Sequence, residues 1–446
     1  MRVEALKKPF NASFEHLASD KSISHRCAIF SLLSSEPSVI ENYLVAEDTL
    51  NTLKIIQALG ANVRWDENKI TITPAKEIKS TNEKVLDCGN SGTAIRLLMG
   101  FLASKQGEFI LDGDEYLRKR PMRRVTEPLE KIGAVFEGKD KANFAPIKVK
   151  GKKLEFFSYD SPIASAQVKT AMILAGLNGK GCKISEPSLS RDHSEKMLSA
   201  MGASLSVDES KDGKIKIEVS PLKSPLKPIN MVVPNDPSSC FFYALAAAII
   251  PNSSVEIKNM LLNKTRIEAF KVLGCMGAKI EYKPKSGGYD DTGDVKISYN
   301  GRLKAVDVSE NIAWLIDEAP ALAIAFACAD GTSTLKNAKE LRVKECDRIA
   351  VTVSALRACG IEASELEDGF KITGGVAKSA SIDSHGDHRI AMSFAVLGLL
   401  CGMEISKSEF IATSFPNFTK CLESLGAVVN EQDSKSLNLS FEKVLH

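Results

Sequence analysis

One step recurs six times along the 446-residue chain. A helix-compatible stretch runs into an apolar-x-Gly-Ala step or a near variant of it, and strand-like sequence follows. The copies are ALGANV at Gly60, KIGAVF at Gly133, AMGASL at Gly202, CMGAKI at Gly277, ACGIEA at Gly360 and SLGAVV at Gly426. A glycine there suits a left-handed helix C-cap, after which the chain extends. Ahead of each copy lies a second, greasier helical stretch, at 25–33, 93–103, 166–177, 239–250, 319–329 and 389–401. Several, such as CFFYALAAAII, are apolar on every side, which predicts burial rather than a surface position. The chain is therefore expected to be six α/β units of about seventy residues.

Proline divides the six into three and three. The segment 221–237, PLKSPLKPINMVVPNDP, holds five of the chain's 17 prolines and reads as a linker. Two similar domains follow from this, with a cleft between them as the natural ligand site. Lys+Arg is 58 against Asp+Glu 56, a net charge of +2, which argues against nucleic-acid binding through bulk charge. No apolar run reaches the roughly 20 residues of a membrane span, and no signal-peptide pattern opens the sequence. The 10 cysteines contain no C-x-x-C pair, so neither a disulfide framework nor a zinc site is expected. These features read as a cytoplasmic protein with reduced thiols and no membrane partner.

Polar and cationic residues open the apolar helices: DKSISHR (20–26), NSGTAIR (90–96), SAQVK (165–169), NDPSS (235–239), IDEAP (316–320) and GDHR (386–389). Helix N-termini offer free N–H groups and partial positive charge, so ends converging on a cleft would attract anions. Two further motifs add charge. LRKRPMRR (117–124) carries five cations, and ELRVKECDR (340–348) alternates Lys344, Glu345, Asp347 and Arg348. Arginine suits bidentate carboxylate or phosphate recognition; lysine acts as a mobile point charge. Each feature also has a plain reading, as a cap, a solvated loop or surface ion pairs.

Taken in order, DKSISHR, GNSGTAIR, KRPM, ASAQVKTA, SRDHSEKML, NDPSS, IDEAP, ELRVKECDR, GDHRIAMSF and ATSFPNF resemble the 5-enolpyruvylshikimate-3-phosphate synthase family, on its class II side. The resemblance spans essentially the whole chain. It implies a two-domain inside-out α/β barrel of six βαβαββ-type repeats, three per domain. The domains are expected at 1–18 with 236–446 and at 19–235, with hinges near 18–21 and 234–239. It further implies transfer of the enolpyruvyl group of phosphoenolpyruvate to the 5-hydroxyl of shikimate 3-phosphate, by addition and elimination with loss of phosphate. No cofactor, metal or nucleic acid is implied, and a monomer is expected.

Carried over by position, the resemblance makes Lys21 a hub between both substrates. Ser22 and Arg26 would meet shikimate 3-phosphate on its carboxylate side. Ser165, Ala166 and Arg191 would meet its phosphate. Gln167 would lie against the ring and reach phosphoenolpyruvate. Asp317 would bind the ring hydroxyls and act as base, with Lys344 reaching the same hydroxyl. Asn90, Gly92, Arg120, Arg348 and Arg389 would hold phosphoenolpyruvate, and Glu345 would protonate its methylene. The catalytic set is thus Lys21, Asp317, Lys344 and Glu345. Four positions depart from common family patterns: Ala166 replaces a second serine, Leu97 a proline and Thr413 a lysine, while Gly92 lacks the methyl carried by glyphosate-tolerant members. Glyphosate inhibition is expected from that last point. Two rivals are weighed. One is the related transferase acting on UDP-N-acetylglucosamine, whose usual loop cysteine has no counterpart between Cys88 and Cys182. The other is a nucleic-acid binder using RKRPMRR.

Overall fold

A computed structural model describes residues 1–78, 80, 84–285 and 287–430. Its residue contacts group into two compact units. The N-terminal unit is Asp20–Val233, and the C-terminal unit combines Met1–Ser19 with Pro234–His446. Six four-stranded sheets are present among the described residues, three in each unit.

Twelve principal helices alternate between two kinds. In the N-terminal unit they are α1 (Lys21–Ser31), α2 (Glu47–Ala58), α3 (Gly92–Leu102), α4 (Arg123–Lys131), α5 (Ala166–Asn178) and α6 (His193–Ala200). In the C-terminal unit they are α7 (Pro237–Ile249), α8 (Glu268–Cys275), α9 (Ala319–Ala327), α10 (Arg348–Ala358), α11 (His388–Cys401) and α12 (Phe418–Ser424). Short helical turns at Lys139–Ala142 and Ile312–Leu315 lie outside this pattern. The odd-numbered helices are the apolar ones, and they are buried. Every residue of α7 and of α9 is inaccessible to solvent or nearly so. Burying a Phe or Leu side chain contributes about 1.5–3 kcal/mol, so these helices are the core of their units.

One repeat shows the construction. Val85–Asp87 leads into α3, and Gly107–Asp112 then pairs with Val85–Asp87 in parallel. Next, α4 leads to Val135–Gly138 and Phe144–Gly151, which add antiparallel strands. On Gly107–Asp112 and Phe144–Gly151, Phe109, Leu111, Ile147 and Val149 are fully buried at alternate positions, so one sheet face covers the helices. The six recurring glycines all have positive φ, from 78° at Gly360 to 109° at Gly277. That backbone suits glycine and stops the even-numbered helices, as the sequence pattern anticipates.

The proline-rich segment is more than a linker. Its Asn230–Val232 forms an edge strand parallel to Val39–Glu41. The five prolines fall outside that strand, and Pro237 opens α7, where a missing N–H is harmless. At the other end, Arg2–Val3 and Asn11–Phe14 join sheets of the C-terminal unit. The side chain of Asn235 ties these passages together: its Oδ1 accepts from Leu17 N at 3.0 Å, and its Nδ2 donates to Glu15 O at 2.9 Å and Lys258 O at 2.8 Å.

Candidate active site

In the N-terminal unit the starts of α1, α3 and α5 are joined by one web of hydrogen bonds. Asp20 caps α1 by accepting from Ile23 N at 2.8 Å, placing Lys21 in the first turn. Lys21 Nζ donates to Asp48 Oδ2 of α2 at 3.1 Å. Thr52 Oγ1, one turn along α2, donates to the Asp48 carbonyl at 3.2 Å and lies 2.8 Å from His25 Nδ1. His25 Nε2 lies 3.2 Å from the hydroxyl of Ser91, which caps α3 by accepting from Ala94 N. With Thr52 donating to a carbonyl, Nδ1 is the imidazole donor and Nε2 the acceptor from Ser91. Burial, with Lys21 and Arg26 nearby, holds the His25 pKa well below 6.5, so the ring is neutral.

Arg26 lies almost wholly out of solvent. Its Nε donates to Ser194 Oγ at 2.8 Å, Nη1 to Ser22 O at 3.0 Å and Nη2 to Thr170 Oγ1 at 3.2 Å. Ser165 caps α5 by accepting from Val168 N at 3.5 Å, and the Ala166 carbonyl accepts from Thr170 Oγ1 at 2.6 Å. Gln167 bridges helices. Its Nε2 donates to Thr93 Oγ1 at 2.9 Å, and its Oε1 accepts from Arg96 Nη1. Arg96 Nη2 also donates to the carbonyl of Pro121 at 3.0 Å, beside Arg120. Arg120 reaches the Asn90 carbonyl through Nη1 at 3.4 Å, and the Asn90 amide donates to Asp114 Oδ2 at 2.7 Å. A Cβ at Gly92 would fall 2.7 Å from the Arg120 guanidinium. Position 92 therefore has room only for hydrogen unless that arginine moves. Arg191 precedes α6, and its neighbour Ser190 is anchored through its backbone N–H to Glu186 Oε1 at 2.9 Å.

The C-terminal unit builds its cluster around one guanidinium. Arg348, at 2% exposure, donates through Nε to Asp387 Oδ2 at 2.7 Å and through Nη2 to Glu345 Oε2 at 2.8 Å. Its Nη1 donates to Ile316 O at 3.1 Å and Asp317 Oδ1 at 3.4 Å. Burial works against this charge, but Asp387, Glu345 and Asp317 outweigh it and hold the pKa far above the usual arginine value. Asp387 also caps α11 by accepting from Arg389 N at 2.8 Å. The Arg389 side chain is 4% exposed, and its Nε and Nη1 make no hydrogen bond among the described residues. Lys344 ends the turn before α10, with Nζ 3.6 Å from Glu340. Thr413 spends its hydroxyl on Phe410 O at 2.7 Å, so it offers no substitute for a lysine charge.

The site residues inferred from sequence thus fall into two connected groups. Lys21, Ser22, Arg26, Asn90, Gly92, Arg120, Ser165, Ala166 and Gln167 share the N-terminal web, with Arg191 on the loop before α6. Asp317, Glu345, Arg348 and Arg389 share the C-terminal cluster, with Lys344 beside Glu345. Sequence reasoning passed over Asp48, Asp114, Arg96 and Asp387, which hold the others in place. Asp387 had a signal: an aspartate just before an apolar helix is a cap, and its second oxygen remains available for an arginine.

Comparison with known proteins decides the family. The model of the EPSP synthase (3-phosphoshikimate 1-carboxyvinyltransferase) family matches residues 8–422. The chain belongs to the EPSP synthase family. A relative from Campylobacter fetus subsp. fetus (strain 82-40), named 3-phosphoshikimate 1-carboxyvinyltransferase, is 64% identical over 97% of this chain and 100% of its own length. One from Campylobacter jejuni (strain RM1221), with the same name, is 55% identical over 96% and 100%. The solved EPSP synthase of Acinetobacter baumannii superposes with a TM-score of 0.82 at 34% identity, covering 96% of this chain and 99% of that one. The inside-out α/β architecture of the family accords with the six sheets and the buried helices described above.

Proposed function

We infer that this EPSP synthase family member transfers the enolpyruvyl group of phosphoenolpyruvate to the 5-hydroxyl of shikimate 3-phosphate, releasing phosphate on the route to chorismate and the aromatic amino acids. The observation that carries the reading is Arg389. It is a buried guanidinium with two nitrogens unbonded among the described residues, beside the aspartate that grips Arg348. Burying a charge is costly unless it is paired, so such a group calls for an anion. Phosphoenolpyruvate supplies both a carboxylate and a phosphate.

The roles are those that the family resemblance implies. Arg120, Arg348 and Arg389 clamp phosphoenolpyruvate, with Asn90, Gly92 and Gln167 along its flank. Ser22, Arg26, Ser165, Ala166, Gln167 and Arg191 receive shikimate 3-phosphate. Lys21 serves both substrates. Asp317, helped by Lys344, takes the 5-hydroxyl proton while the oxygen adds to C2 and Glu345 protonates C3. The tetrahedral adduct then loses phosphate by C–O cleavage as C3 returns its proton, restoring the enol ether. Holding reactants in register and preorganising charge contribute several kcal/mol each, without cofactor or metal. The enzyme is read as a cytoplasmic monomer. No helix among the described residues is long and apolar enough to cross a membrane.

The nucleic-acid reading loses its footing in the basic loop. There Arg118 pairs with Asp112, Lys119 with Glu115, and Arg123 with Glu127 and Glu130. Burial and the neighbouring Asp387 raise the pKa of the Cys346 thiol, which works against a reactive thiolate there. The test is phosphate release from phosphoenolpyruvate. It should require shikimate 3-phosphate, and release without it, or with UDP-N-acetylglucosamine in its place, would overturn the reading.

A further inference from the structure

Behind the N-terminal web lies a charge cluster that the reaction as described does not use. Lys169, in the first turns of α5, is 2% exposed. Its Nζ meets Glu186 Oε1 at 2.8 Å and Glu195 Oε1 at 2.6 Å, and both carboxylates are buried as well. One basic and two acidic groups are thus sequestered together. Buried ion pairs are often matched or bettered in stability by apolar groups of similar volume, so stability alone is a weak reason for this one.

Its connections give a better reason. Glu186 ends the strand Cys182–Glu186, and Glu195 lies in the first turn of α6. Between them runs the loop that carries Arg191. The residue before that arginine, Ser190, is gripped on both sides of its backbone. Its N–H donates to Glu186 Oε1 at 2.9 Å, and its carbonyl accepts from Lys169 Nζ at 3.5 Å. The next residues along, Thr170 and Ser194, bond each other at 2.6 Å and together hold Arg26. One buried lysine therefore ties the first turns of α5 to the strand end at Glu186, to the loop bearing Arg191 and to the first turn of α6, where Ser194 holds Arg26.

We propose that Lys169, Glu186 and Glu195 are positioning residues for the shikimate 3-phosphate half of the site, locking Arg26, Arg191 and the α5 N-terminus into one receiving surface. The proposal rests on the function assigned above. By contrast, Arg120 reaches the Asn90 carbonyl, a contact that does not pass through the triad. The two substrates should thus respond differently when the triad is cut.

The experiment measures shikimate 3-phosphate binding by calorimetry and steady-state kinetics for both substrates, in wild type, Lys169→Met and Glu195→Gln. Lys169→Met keeps the stem and removes the charge. It should weaken shikimate 3-phosphate binding about tenfold or more, since misplacement of positioning groups carries penalties up to ~100-fold, and leave the KM for phosphoenolpyruvate within about threefold. Glu195→Gln removes one of the two negative partners of Lys169 and should weaken shikimate 3-phosphate binding in the same direction but by a smaller factor. Should Lys169→Met fail to fold, Glu186→Gln carries the same test, because it weakens the hold on Ser190 with a smaller change. Parallel rises in both KM values, or a lower melting temperature with unchanged shikimate 3-phosphate binding, would overturn the proposal. Wild-type protein that binds no shikimate 3-phosphate would instead overturn the functional reading.

Discussion

Arg26 and Arg96 in the N-terminal unit are held differently from Arg348 in the C-terminal unit. In the N-terminal unit the bonds described for Arg26 and Arg96 run to hydroxyls, a side-chain amide and carbonyls. In the C-terminal unit Arg348 is wrapped by Asp387, Glu345 and Asp317. Neutral acceptors orient a guanidinium without neutralising it. A carboxylate wrap neutralises the guanidinium but brings acids to fixed places. One arrangement suits binding, and the other suits proton transfer beside binding. Arg389, with two nitrogens unbonded among the described residues, restores anion affinity to the second.

The largest effect that could break this contrast is at Glu345. Glu345→Gln keeps an oxygen for Arg348 but cannot supply a proton. Turnover should fall by about 10²–10⁴-fold, the usual worth of a general acid, with shikimate 3-phosphate binding nearly intact. Near-normal turnover would remove Glu345 from that role. Next in size is a paired comparison of stability by denaturant titration. Asp387→Ala takes the shortest of three carboxylate contacts from buried Arg348 and uncaps α11, and should destabilise by about 3 kcal/mol, the low end for a broken buried pair. Thr170→Val removes a neutral acceptor from Arg26 and should destabilise by about 1 kcal/mol. Equal losses would erase the distinction between the two kinds of grip.

A smaller effect is expected at Gly92. Its Cβ would meet Arg120 at 2.7 Å, so Gly92→Ala must displace the guanidinium. The KM for phosphoenolpyruvate should rise by about tenfold, the low end of the scale of one charged hydrogen bond. Glyphosate should inhibit the wild type well below millimolar concentrations and inhibit Gly92→Ala less; inhibition constants that match, or a millimolar wild-type value, would count against this.

The smallest effect concerns His25. Its folded pKa is depressed, so the unfolded chain binds the proton more readily. The stabilising contribution of the neutral ring is complete above pH 6.5 and is lost as pH falls below that toward the folded value. The slope is at most about 1.4 kcal/mol per pH unit. His25→Asn should flatten the fall of melting temperature below pH 6.5, and an unchanged profile would contradict a buried neutral imidazole.

Much of this architecture was legible in the residues. The six glycine steps carry helix ends, and the continuous apolar runs can only be interior helices. The caps were legible too: Asp20, Ser91, Ser165 and Asp236 each accept a backbone N–H as their local sequence suggests. Less visible was Asn230–Val232, because proline density hides a strand that completes a sheet at its edge. The supporting acids Asp48 and Asp114 were also hidden, since a lone aspartate in a polar stretch looks like any solvated one.

What the sequence determined by itself is periodic: six units, their helix types, their terminators and the cations placed at helix starts. Such features are set within a few turns of chain, where spacing alone decides which side chains share a face. What only the tertiary structure decided is which distant carboxylate or hydroxyl each buried cation meets: Asp387 for Arg348, Ser194 for Arg26, Glu186 and Glu195 for Lys169. Those pairings join positions up to 168 residues apart. They arise because a charge taken out of water must find a partner wherever packing brings one, and no local pattern encodes that choice.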